Sequence, residues 1–185
     1  MRAFVAIEMT EPIREALAAL LVELRRVDAP VKWVEPQNIH LTLKFLGEVP
    51  DESVPKAGEI LRQCVAGVAP FALEVKGAGG FPNLKRPRVI FVGALDQPPT
   101  SAGLAGRLNE QMAALGVERE DRAFQNHITL GRVREPGRLG RLTSRLESLQ
   151  EKSFGSMTVT QVTLMKSDLR PDGPIYTAVE KVDLK

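Results

Sequence analysis

In residues 39–46, Ile-His-Leu-Thr-Leu-Lys-Phe-Leu, the first seven alternate: Ile39, Leu41, Leu43 and Phe45 are apolar, while His40, Thr42 and Lys44 are polar. Successive side chains of a strand point to opposite faces, so this stretch reads as a strand with one face in a core. The other face carries an imidazole, a hydroxyl and an ammonium. Residues 127–133, His-Ile-Thr-Leu-Gly-Arg-Val, repeat the opening of that pattern with His127, Ile128, Thr129 and Leu130. The chain holds two histidines, and both stand in the tetrapeptide H-[LI]-T-L. For this composition the chance of that is about 3 in 100,000, so coincidence is a poor explanation.

Outward from these strands, the same offset of 87 residues pairs Phe4, Val5 and Ala6 with Phe91, Val92 and Gly93. A constant register over a strand, a helix and a strand predicts two pseudo-symmetric lobes, a different signal from a many-copy solenoid. Residues 2–9 and 88–95 read as buried strands, and residues 71–76 as an alternating one. The helical spacing of Ile13, Leu17, Leu20, Leu21, Leu24 and Val27 predicts a helix opened by a Thr10 cap and Pro12 and closed by Pro30. Further helices are expected over 51–67, 104–115 and 139–149, with Cys64 as core filler in the first. Gly77 to Pro87 reads as a loop from its Gly and Pro content. Residues 157–165 and 175–182 read as strands about a turn at 170–174.

Composition narrows the function. The chain has 185 residues, 43% hydrophobic and 26% charged, with a net charge of +2, which suits one globular domain and announces no polyanionic partner. One cysteine forms no intrachain disulfide, and with two histidines it leaves no zinc-type ligand cluster. The apolar run Ala3–Ile7 is stopped by Glu8, too short for a signal core or a membrane span. The expectation is a cytoplasmic protein with no metal, no cofactor, no membrane association and no obligate protein partner.

In a strand, His40 shares a face with Thr42, and His127 shares one with Thr129, while Leu41, Leu43, Ile128 and Leu130 go to the core. A pseudo-twofold makes the two His/Thr faces look at each other across a cleft. Two imidazoles on opposite sides of one atom suit an in-line displacement at phosphorus: one takes a proton from the incoming nucleophile and the other gives one to the leaving oxygen. Histidine, with an unperturbed pKa near 6.5, supplies both forms at neutral pH. The threonine hydroxyls suit the non-bridging phosphoryl oxygens. The bland alternative is two histidines on solvated strand faces.

Paired H-x-T-x motifs in a chain of this size resemble the 2H phosphoesterase superfamily, and within it the bacterial and archaeal RNA 2',3'-cyclic phosphodiesterases, also named 2'-5' RNA ligases. The likeness runs through MRAFVAIEM (1–9), WVEPQNIHLTLKFLGEV (33–49), FPNLKRPRVIFVGA (81–94), FQNHITLGRV (124–133) and VTLMKSDLRPDGPIY (162–176). The resemblance implies an α+β fold over residues 1–185, a single bilobal domain of two mainly antiparallel lobes with outer helices and the motifs lining the central cleft. It implies hydrolysis of a terminal RNA 2',3'-cyclic phosphate to a 2'-phosphate without cofactor. His40 would be the proton donor to the leaving O3', His127 the acceptor that activates water, and Thr42 and Thr129 the phosphate ligands. A 5'-hydroxyl RNA end as nucleophile would give reversible 2'-5' ligation. The alternatives are a phosphodiesterase on small cyclic or 2'-5' linked nucleotides, and a non-catalytic module that holds RNA ends. Family members commonly carry Pro before the second motif's histidine, where this chain has Asn126.

Lys44 has the parity of His40 and Thr42 and is a candidate phosphate contact, with a solvated strand lysine as the alternative. Arg132 stands at the wrong parity from His127 unless a bulge redirects it; it is kept as a phosphate or base contact, against a surface ion pair. Lys85, Arg86 and Arg88 form a basic loop for RNA phosphates or, more simply, a solvated one. Phe45 is expected in the core, which leaves Trp33 or Phe81 freer to stack on a base.

Overall fold

A computed structural model describes residues 1–135, 137 and 139–185. Among them are nine strands: β1 (Arg2–Glu8), β2 (Val31–Trp33), β3 (His40–Glu48), β4 (Phe71–Phe81), β5 (Val89–Leu95), β6 (His127–Val133), β7 (Ser153–Val159), β8 (Gln161–Arg170) and β9 (Gly173–Asp183). Four α-helices join them: α1 (Glu11–Arg25), α2 (Val54–Val65), α3 (Thr100–Gln111) and α4 (Arg141–Glu147). The strands form one curled antiparallel sheet in the order β7-β4-β5-β6-β3-β1-β8-β9, with β2 paired to β6 beside that path. The α+β class with outer helices is as the resemblance implied.

The sheet has two halves, β3-β1-β8-β9 and β6-β5-β4-β7, which meet at one paired residue, Leu41 with Ile128. The 87-residue offset relates β1 to β5, β3 to β6 and most of β4 to β8. Strand β4, from the first half of the chain, completes the second half of the sheet, and β8 and β9 complete the first. The helices cover one face. Their apolar stripes, such as Ile13, Leu17, Leu21 and Leu24 of α1, pack with Val5, Ile7, Leu41, Ile90, Val92 and Ile128 in one core. The opposite face carries Phe4, Ala6 and Met165, joined by Tyr176.

Both motif strands carry a bulge after the threonine. In β3, Thr42 pairs with Ala6 and Lys44 with Val5, so Leu43 is the extra residue. In β6, Thr129 pairs with Phe91 and Gly131 with Ile90, which makes Leu130 extra. A bulge reverses the parity beyond it. Lys44 and Gly131 therefore turn toward the helices, and Phe45 and Arg132 turn onto the open face.

Three local expectations are corrected. Gly77–Phe81 is strand, not loop: each glycine answers a local demand, Gly77 a φ of +83° with the Gln150 carbonyl close by, Gly80 the approach of Pro87, and Gly79 the Phe91 ring, whose Cζ would stand 2.5 Å from a Cβ there. The expected strand over 157–165 is two strands that part at Thr160. Thr10 is extended, but its hydroxyl makes no cap bond; Pro12 opens the helix without it. No helix among the described residues is long and apolar enough to cross a membrane.

Candidate active site

The junction of the two halves brings the motifs together. Extending the Leu41–Ile128 pairing by one residue each way sets His40 beside Thr129 and Thr42 beside His127, all on the face away from the helices. His40 and His127 are then diagonal neighbours, a relation in which residues stand roughly 7–8 Å apart with their Cβ atoms somewhat closer. Two imidazoles at that separation can address one phosphorus from two sides.

The rings are held alike. His40 Nδ1 lies 2.7 Å from the carbonyl oxygen of Asn38, and His127 Nδ1 lies 2.8 Å from that of Gln125. A carbonyl only accepts, so each Nδ1 carries the hydrogen and donates it. Each Nε2 is thereby left for other partners, and His40 Nε2 sits 2.9 Å from Thr42 Oγ1. In the neutral ring that hydroxyl donates to Nε2. Asn38 and Gln125 are themselves related by the 87-residue offset, so the tautomer-fixing carbonyl belongs to the repeat.

Aromatic rings steady both imidazoles. Phe4 lies 4.8 Å from the His40 ring centroid, and Tyr176 meets it edge-on at 5.2 Å. Phe81 and Phe91, stacked at 4.4 Å, meet His127 edge-on at 5.0 and 5.6 Å. The repeat pairs Phe4 with Phe91, and their strand position beside a histidine is the signal for this role. Tyr176, the single tyrosine, carries no such signal; the β8–β9 hairpin delivers it.

Burial pushes the His40 pKa below its ordinary value of 6.5, the Asn38 hydrogen bond and the Glu8 carboxylate pull it back, and charge on His127 lowers it again. Glu8 is paired with His40 across β1 and β3. Burial raises the Glu8 carboxyl, but bonds to the Lys181 ammonium at 2.9 Å and the Thr163 hydroxyl at 2.9 Å outweigh it and keep the net shift downward. Near neutrality these shifts favour His40 as the neutral imidazole beside an ionised Glu8 carboxylate. Desolvation raises the phenol of Tyr176, while Arg132 and Arg2 draw it back.

Lys44 is not in the cleft. Its ammonium is 2% exposed and donates to Asn109 Oδ1 at 2.8 Å, to the Glu118 carbonyl at 2.8 Å and to Glu120 at 3.3 Å. The bulge turned it inward, where it holds the segment leading to His127. The same bulge brings Phe45, expected in the core, out to 56% exposure. Arg132 gains the redirection its parity required and joins the open face. Trp33 packs against the core, whereas Phe81 stands in the cleft. Lys85, Arg86 and Arg88 are exposed on the β4–β5 connection, where Asn83 Oδ1 accepts from the Lys85 and Arg86 backbone N–H groups. Asn126 is tied down by its amide, which donates to Asp96 at 3.0 Å and to Ser101 Oγ at 2.6 Å. Cys64 is buried in the core.

A family model described as LigT like Phosphoesterase matches residues 7–91 and 95–176. An RNA 2',3'-cyclic phosphodiesterase of Methanothermobacter thermautotrophicus is 37% identical, with 97% of this chain and 96% of that one covered. One of Archaeoglobus fulgidus is 38% identical, with 95% of this chain and 96% of the other covered. Among solved structures, TT0787 of Thermus thermophilus superposes with a TM-score of 0.80 at 33% identity, covering 100% of this chain and 98% of that one. LigT of E. coli complexed with 3'-AMP gives 0.75 at 28% identity, covering 99% and 97%. Matched over both motif strands and nearly its whole length, the chain belongs to the LigT-like phosphoesterases of the 2H superfamily.

Proposed function

We propose that this enzyme hydrolyses a terminal RNA 2',3'-cyclic phosphate to a 2'-phosphate, without a metal or cofactor, in the cytoplasm. The observation that carries the reading is the matched pair of imidazoles, each with Nδ1–H spent on a carbonyl two residues upstream and Nε2 left for the cleft. The names of the relatives support the substrate class.

In this reaction a water oxygen bonds to phosphorus as His127 Nε2 takes its proton. The P–O3' bond breaks on the far side, and O3' receives the proton of the His40 imidazolium. The donor is made in the complex: a phosphodiester anion beside the ring favours its charged form, opposing the downward pull of burial. Thr42, Thr129 and Arg132 donate to the non-bridging oxygens as charge grows there. With a 5'-hydroxyl RNA end in place of water, the same atoms give 2'-5' ligation, and no nucleotide triphosphate enters.

The test is product analysis in EDTA. A cyclic-ended RNA is expected to yield the 2'-phosphate, and His40→Ala and His127→Ala each to lose about 10²–10⁴-fold in kcat, the range for one general acid or base. Full activity in either variant overturns the assignment. Turnover that dies in EDTA and returns with zinc overturns the metal-free step.

A further inference from the structure

Beyond the histidines, the open face carries two unlike walls. On one side β2 pairs with β6 so that Lys32 stands directly opposite Arg132. Both are exposed, and Arg134 follows at the same parity as the strand ends. Like charges directly opposite on paired strands destabilise a sheet. None of the three takes part in an ion pair among the described residues. A repulsive cationic pair at the mouth of a phosphate site is compensated when an anion lies across it.

The facing wall is apolar. Tyr176 pairs with Ser167, and two residues further Pro174 pairs with Leu169, which is 65% exposed. Leu169 shares the parity of Met165 and Ser167, hence the face of Phe4 and Tyr176. One contact brings this hairpin to the end of β3 that lies beside the Arg132 end of β6: the Asn38 amide donates to the Pro174 carbonyl at 3.0 Å. The opposite end, beside Phe45, is flanked by the mixed charges Glu118, Arg119, Glu120, Asp121 and Arg122.

A groove with cations along one wall and exposed apolar groups along the other fits single-stranded nucleic acid, with phosphates to the first and base faces to the second. We propose that the strand preceding the cyclic phosphate leaves the cleft at this end, past Arg132 on the reacting phosphate, with its backbone phosphates over Lys32 and Arg134 and its penultimate base on Leu169 and Tyr176. This rests on the cyclic phosphodiesterase reading and deepens it: the substrate is a single-stranded RNA end of two or more nucleotides, not a mononucleotide or a paired end.

The test compares a trinucleotide ending in a 2',3'-cyclic phosphate with 2',3'-cyclic AMP, for the native chain, Lys32→Gln and Leu169→Ser. The native chain favours the trinucleotide by at least about 10-fold in kcat/KM. Lys32→Gln lowers kcat/KM for the trinucleotide about 5–10-fold, moves that for cyclic AMP less than about 2-fold, and lowers the slope of log affinity against log salt by about 0.7, the value for one single-strand phosphate contact. Leu169→Ser lowers the trinucleotide value with the salt slope unchanged. Equal losses on both substrates, no loss on either, or equal turnover of a blunt duplex end overturns the path. If the native chain turns over neither substrate, the cyclic phosphodiesterase reading fails by itself. Binding of the trinucleotide 2'-phosphate against 2'-AMP in the same variants then still decides the path.

Discussion

Replacing Lys44 by Met separates two physical accounts of one residue. Met keeps the apolar stem and removes the ammonium, together with its bonds to Asn109, Glu118 and Glu120. Asn109 Oδ1 still accepts from the Glu120 backbone N–H at 2.8 Å, and the Glu120 carboxylate, 57% exposed, returns to water. The Glu118 carbonyl is the group left stranded, at about 1–3 kcal/mol. Losing charge-assisted bonds adds to that, and no longer burying an ammonium subtracts from it. The net is about 2 kcal/mol of destabilisation, a fall of roughly 4–8 °C in Tm for a chain of this size. Because the freed segment ends at Gln125, whose carbonyl holds His127, kcat falls while KM stays within about 2-fold. Urea titration of Lys44→Met beside steady-state kinetics on a cyclic-ended oligonucleotide measures both. Unchanged stability with a raised, more salt-sensitive KM refutes this reasoning and returns Lys44 to the substrate.

Burial holds His40 below 6.5, so between its folded value and 6.5 the unfolded chain binds more protons; the His40 contribution to stability is present above that window and is lost as pH falls through it. Urea titrations at several pH values show this slope in the native chain and its loss in His40→Gln. Imidazole NMR places the His40 titration lower still in Glu8→Gln and higher when inorganic phosphate binds; no movement in either case removes the electrostatic account. Gly79→Ala drives a Cβ into a Phe91 ring already confined between Phe81 and His127, so kcat drops at least about 10-fold with secondary structure retained by circular dichroism. Asn126→Ala loses two hydrogen bonds but also relieves a buried, unpartnered Oδ1, so Tm falls by only roughly 2–4 °C, corresponding to about 1 kcal/mol, and the larger effect is on kcat.

The motifs are legible because period-2 alternation fixes which residues share a face up to the first bulge. His40, Thr42, His127 and Thr129 all precede it. Lys44 and Phe45 follow it, and both lie on the side opposite to the one alternation predicts, since a bulge at Leu43 leaves no mark in a string that goes on alternating through Phe45. Arg132 is recoverable because its awkward parity itself asks for a bulge. The glycines of β4 read as loop because their causes, the Phe91 ring at Gly79, the Gln150 carbonyl at Gly77 and Pro87 at Gly80, come from other parts of the chain. Tyr176 and Glu8 reach His40 through pairings distant in sequence, which a single chain read in order does not display.

The interleaving of β4 and β8 has a mechanical consequence. Residues 1–87 and 88–185 repeat one pattern, yet each lacks the strand that completes its own half of the sheet and borrows it from the other. The halves are clasped, not hinged. A polypeptide severed in the β4–β5 connection has to reassemble by mutual complementation, because neither fragment closes its sheet alone, and pulling residues 1–87 away from 88–185 would break the β1–β8 ladder on one side of the cleft and the β4–β5 ladder on the other. Strands β1 and β5, which flank the two motif strands, are each clasped by a strand of the other repeat, so the face that carries each imidazole is held in place by hydrogen bonds from both ends of the chain.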